Sequence, residues 1–84
     1  MDISTIVGLA AGALTTASFL PQMTKTIRSK ATKDISLGMY LLLSTGLFFW
    51  VIYGLSIRSL PVILTNAIAL GLALIVLVLK IRYG

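Results

Sequence analysis

The sequence predicts an all-α membrane protein, a bundle of three transmembrane helices, and three observations carry that reading. The chain of 84 residues is 58% hydrophobic and only 11% charged, less than half of the charge, about 25%, that clothes a soluble domain. Three uncharged runs, residues 3–24, 35–57 and 59–79, fill most of it. Each is as long as the roughly 20 residues that cross a bilayer's hydrocarbon core at about 1.5 Å per residue. The basic residues flank these runs and form no stripe of their own, as charges that orient a membrane protein do. Residues 1–84 therefore read as one three-helix transmembrane domain.

The first span follows Met1-Asp2, a flank that is not basic, so the run reads as a retained helix and not as a removable signal peptide. It closes on Ser18-Phe19-Leu20-Pro21-Gln22-Met23-Thr24-Lys25. A proline lacks the N–H that a helix needs, and its ring crowds the carbonyl four residues back, here that of Ala17. A backbone group freed in lipid must find a neighbouring helix, a hydroxyl or cavity water. Thr15, Thr16, Ser18 and Gln22 supply polar atoms within two turns. Two readings stand: Pro21 ends the span with Gln22 at the interface, or Pro21 is a hinge beside a wet cavity.

The second span opens after Asp34 and Ser36, both suited to cap a helix. Trp50 lies seven residues inside its far end at Ile57, about 10 Å deep at 1.5 Å per residue, too deep for an ordinary interfacial belt. The third span opens on Ser59 and Pro61, which fit an N-cap and a first turn. Asn66 lies seven residues inside Ser59, at about the same depth. Taken singly, Asn66 reads as interhelical glue and Trp50 as packing. Their matched depth favours a shared site instead. An indole face covers the C–H surface of a ring, and an amide offers two donors and an acceptor to hydroxyls. Such a pair suits a neutral polyhydroxy solute better than an ion.

Charge sets the orientation. Lys25, Arg28, Lys30 and Lys33 lie in the first connection, and Lys80 and Arg82 follow the third span; only Arg58 lies in the second connection. The positive-inside rule then places the N-terminus outside and the C-terminus in the cytoplasm. With so strong a bias every copy inserts the same way. Three helices do not easily enclose a water-filled path, so a working dimer is parallel, with its two-fold axis along the membrane normal. Gly8-x-x-x-Gly12 and Ala67-x-x-x-Gly71 let backbones approach closely, and they serve equally well within one protomer or between two.

Several classes fall away. Cysteine and histidine are absent, and the only carboxylate side chains are Asp2 and Asp34. Catalysis has almost nothing to work with, so no enzyme, cofactor or metal site is expected. The net charge of +5 orients the chain in a lipid bilayer and does not mark a nucleic-acid partner.

Pro21-Gln22 near the inner end of the first span, Asp34-Ile-Ser-Leu-Gly-Met-Tyr40 opening the second, Gly46-Leu-Phe-Phe-Trp-Val-Ile-Tyr-Gly54 closing it and Leu60-Pro-Val-Ile-Leu-Thr-Asn-Ala67 in the third resemble the SemiSWEET sugar transporters, bacterial half-transporters of the PQ-loop group. The resemblance covers nearly the whole chain. It implies a parallel homodimer in the cell (inner) membrane, giving a 3+3 arrangement, with the third helix of each protomer packed between the first and second. It also implies a central sugar pocket containing Trp50 and Asn66, a hinge at Pro21 with Gln22 beside it, and an outer gate of Tyr53 and Arg58. Met39 then narrows the inner mouth, and Arg58 reads equally as a solvated loop charge. The implied activity is passive transport of a mono- or disaccharide by alternating access. The alternatives are a PQ-loop transporter of an amino acid or organic acid, which needs charged partners in its pocket, and a pore-forming or structural membrane subunit.

Overall fold

The computed structural model describes residues Asp2 to Gly84. They form α1 (Ile3–Ser29), α2 (Leu37–Ser56) and α3 (Leu60–Tyr83), each long and apolar enough to cross a membrane. The caps follow from short polar side chains that accept a bond from an otherwise orphaned N–H. Asp2 takes Thr5 N at 2.9 Å, Ser36 takes Met39 N at 3.1 Å and Ser59 takes Val62 N at 3.5 Å. Of the two caps expected for α2, Ser36 is the one used. Lys30 closes α1 in the left-handed region at φ 56°, and its N–H reaches Thr26 O.

The helices and the apolar runs do not share their ends. The first helix continues past Thr24 through Lys25 and Arg28 to Ser29, and α3 continues past Leu79 to Tyr83. Long basic side chains are good helix formers whose heads reach for water while their backbones stay helical. The second helix starts later and ends earlier than its run, because Ser36 caps it and Arg58, at φ 54°, turns the chain directly into α3.

α3 occupies the centre. It packs against both α1 and α2, whose backbones do not approach each other closely, and the Cα trace forms a flat layer of 44 × 23 × 13 Å. Two crossings hold the layer. At the first, Gly8 meets the ring of Pro61 and Gly12 meets the γ-methyl of Thr65; at the second, Gly54 meets Val62 and Ile63. The Gly8-x-x-x-Gly12 stripe thus serves packing inside the protomer, whereas Ala67 and Gly71 lie exposed. The buried apolar core is small: Ala73, Val76 and Leu77, all from α3. Apolar side chains such as Leu42 and Phe49 are left open, at 77% and 62% exposure, a surface that only lipid or a second protein covers.

Candidate solute site

Hydroxyls in an apolar helix are usually satisfied by the carbonyl one turn back, and these helices follow that habit. Thr15 donates to Ala11 O at 2.9 Å, Thr65 to Pro61 O at 2.6 Å and Ser18 to Thr15 O at 2.6 Å. None of these three reaches the carbonyl of Ala17, which Pro21 deprives of its helical partner. Pro21 nevertheless does not terminate the helix, since α1 runs on to Ser29. Gln22 is exposed beside it.

Two hollows meet at Asn66. One, of about 420 Å³, lies between α1 and α2 with α3 as its floor, and Thr15, Thr16, Phe19, Leu43, Thr65 and Asn66 are among its walls. The other, of about 500 Å³, opens on the face of α2 and is bounded by Met39, Leu43, Gly46, Leu47, Trp50 and Asn66. The fold therefore brings Trp50, Asn66 and Met39 around one space. Trp50 stands six residues before the end of α2 at Ser56, and Asn66 stands six after the start of α3 at Leu60. At 1.5 Å per residue both are about 9 Å from that end.

Asn66 is half-buried and commits one amide N–H to Val62 O at 2.8 Å. A second N–H and the amide oxygen remain to meet a solute. The Trp50 indole packs edge-on against the Tyr53 ring, with centroids 5.6 Å apart and planes at 82°, the preferred geometry for an aromatic pair. With 53% of its surface exposed, Trp50 presents an open face in the single protomer. No ionisable side chain lines either hollow. Arg58 stands apart in the α2–α3 turn, exposed and outside both hollows, and Pro21 and Gln22 lie on α1 away from the Trp50 wall.

Thr15 and Thr16, which the sequence offers as polar atoms beside Pro21, do line a hollow, whereas Phe19 and Thr65 are walls that the sequence does not single out. A signal was present: Gly12, Thr15, Thr16, Phe19 and Met23 follow a helical i, i+3, i+4, i+7, i+11 pattern and share one face. The pattern becomes informative only once Gly12 is known to face α3.

The PQ loop repeat family matches residues 3–63. A protein named sugar transporter SemiSWEET from Bradyrhizobium diazoefficiens is 43% identical over 79 residues, covering 94% of this chain and 92% of the relative. One of the same name from Leptospira biflexa serovar Patoc is 39% identical over 79 residues, covering 94% and 93%. The chain belongs to the SemiSWEET family of PQ-loop proteins. A crystal structure of SemiSWEET in the inward-open conformation superimposes on it with a TM-score of 0.95 at 38% identity, over 99% of this chain and 89% of that one. As a SemiSWEET, the chain is a multi-pass membrane protein, and its three-helix bundle with α3 in the middle agrees with the arrangement that the resemblance implied.

Proposed function

We infer that the protein is a sugar transporter working by alternating access, a reading supported by its SemiSWEET relatives and by its similarity to a SemiSWEET solved open to one side. One three-helix domain is half of the working unit. Two protomers, parallel in the cell (inner) membrane with N-termini outside, hold a mono- or disaccharide between them on the two-fold axis. Trp50 covers the ring face and Asn66 bonds the hydroxyls. The observation that carries this assignment is the uncharged hollow shared by Trp50 and Asn66. Pro21 is the hinge, with Gln22 beside it; Tyr53 and Arg58 close the outer mouth and Met39 narrows the inner one.

Transport is passive. Proton-coupled carriers place Asp, Glu or His inside the membrane to bind and release the proton. Here the only carboxylate side chains are those of Asp2, which caps α1, and Asp34, in the α1–α2 connection. The expected result in sugar-loaded liposomes is counterflow of labelled sugar with no ion gradient, and uptake indifferent to imposed pH or sodium gradients. Trp50→Ala and Asn66→Ala should each abolish or greatly reduce that counterflow while the dimer still forms. Normal rates in both variants would overturn the pocket, and gradient-driven accumulation would overturn passive transport.

A further inference from the structure

Of the seven Lys and Arg, Lys80 alone is half-buried; the other six are exposed. Its ammonium donates to three backbone carbonyls: Thr32 at 3.0 Å, Lys33 at 3.3 Å and Gly84 at 3.4 Å. The bond to Gly84 is ordinary for a lysine in a last helical turn. The other two join residues 48 and 47 positions apart and require the α1–α2 connection to fold back onto the end of α3. That connection is well fixed. Thr32 is 1% exposed, Thr32 N donates to Lys30 O at 3.1 Å and Ile35 N to Thr32 O at 3.0 Å. The Lys30 ammonium sits 5.2 Å from the centre of the Tyr83 ring, a second tie to α3.

α1 differs from everything around it. It contributes no buried residue, and elements with few buried contacts open most readily. Two backbone irregularities bound its final stretch, Gln22–Ser29: Pro21 on one side and the left-handed Lys30 on the other.

We propose that Lys80 is a positioning residue for transport. It fastens the α1–α2 connection to the end of α3, so that the stretch Gln22–Ser29, hinged at Pro21 in the reading above, has a fixed post at its far end. The inference rests on the alternating-access reading above. A lysine has three donors and no acceptor, and charge-assisted bonds to carbonyls are stronger than neutral ones. Without them the carbonyl of Lys33 loses its lysine donor and that of Thr32 keeps only the Ile35 amide. The α1 stretch then drags the connection along where it had a fixed post to pivot on. Sugar binding is untouched, because Lys80 lies 14 residues from Asn66, about 21 Å along α3.

Lys80→Met and Lys80→Arg, reconstituted as dimers, test this by three readouts: hydrogen exchange of the 31–35 amides, equilibrium sugar affinity, and counterflow rate. In Lys80→Met the Ile35 amide should exchange at least about tenfold faster, the scale set by a lost charge-assisted bond. Affinity should stay unchanged while the rate falls, and Lys80→Arg should recover both protection and rate in part. A stability role alone would leave the rate of the assembled dimer intact. Lys80→Gln gives the same comparison in the event that Lys80→Met does not assemble. Unchanged loop protection in Lys80→Met would overturn the inference, as would a wild-type rate with a loosened loop, or affinity lost along with rate. Absence of counterflow in the wild-type protein would instead overturn the transport reading.

Discussion

Gly8→Ala puts a methyl group where the α1–α3 crossing leaves no room. A Cβ at that position would lie 2.9 Å from both Cβ and Cγ of Pro61, against an ordinary 3.4–4 Å. The proline ring is closed onto its own backbone and cannot rotate away, so α1 must lift from α3 by 3.4 − 2.9 = 0.5 Å or more. At Gly12 the added methyl enters the space of the Thr65 γ-methyl. Thr65 escapes only by giving up its 2.6 Å bond to Pro61 O, worth about 1 kcal/mol. Overpacking costs about 1–3 kcal/mol, and replacing a helical glycine by alanine returns about 0.5–1 kcal/mol. The net expectation is a loss of about 1 kcal/mol for Gly8→Ala, and about 2 kcal/mol for Gly12→Ala when the threonine bond is added. Gly71 provides the control, because no protomer atom comes within 4 Å of its added Cβ. Gly71→Ala should stabilise the protomer by the helix term alone, about 0.5–1 kcal/mol. Reversible denaturation of the purified variants in detergent, followed by helical circular dichroism, reads the difference. If Gly8→Ala and Gly12→Ala proved as stable as Gly71→Ala, α1 would not approach α3 through its glycines.

Two further expectations concern the ends and middle of α1. Pro21→Ala supplies the N–H that Ala17 O lacks and stiffens the helix; counterflow should slow while the melting temperature holds or rises, and an unimpaired rate would remove the hinge. The Asp2 carboxyl, outside the membrane span, is held below its ordinary 3.8 by the hydrogen bond from Thr5. A depressed folded-state value means that the cap's contribution is complete above 3.8 and lost as pH falls through the lower value. The Thr5 amide should lose exchange protection over that acid window, and Asp2→Asn, which caps without titrating, should show no such pH dependence.

The three spans and the caps of the second and third were legible because hydropathy and short polar side chains are local signals, whereas Asp2 stood in the sequence only as an acidic flank and not as the cap of α1. Helix ends were less so. Hydropathy stops at the first charge, whereas the helix carries Lys25, Arg28, Lys80 and Arg82 within it. Trp50 and Asn66 stood out because a polar amide and a deep indole are rare at that depth, and they do border one hollow. Of the other hollow only Thr15 and Thr16 were visible, as polar atoms near Pro21; Phe19 and Thr65 stayed hidden, because their place depends on which face of α1 meets α3, and a glycine stripe fits either of two partners. Lys80 read only as an orienting charge, since nothing local marks a lysine whose acceptors lie 47 and 48 residues away.

The central place of α3 has a consequence for how the chain is made. The ribosome delivers α1 and α2 first, and the backbones of these two stay apart in the finished protomer. Both wait for the last segment to emerge, with Gly8, Gly12 and Gly54 facing lipid until Pro61, Thr65 and Ile63 arrive. The pairings that then form between α1 and α3 close over about fifty residues of chain, whereas α2 and α3 are joined by a short turn, so the α1–α3 contact is the slower part of the assembly. A chain stopped before Leu60 would hold two spans without the helix against which both pack.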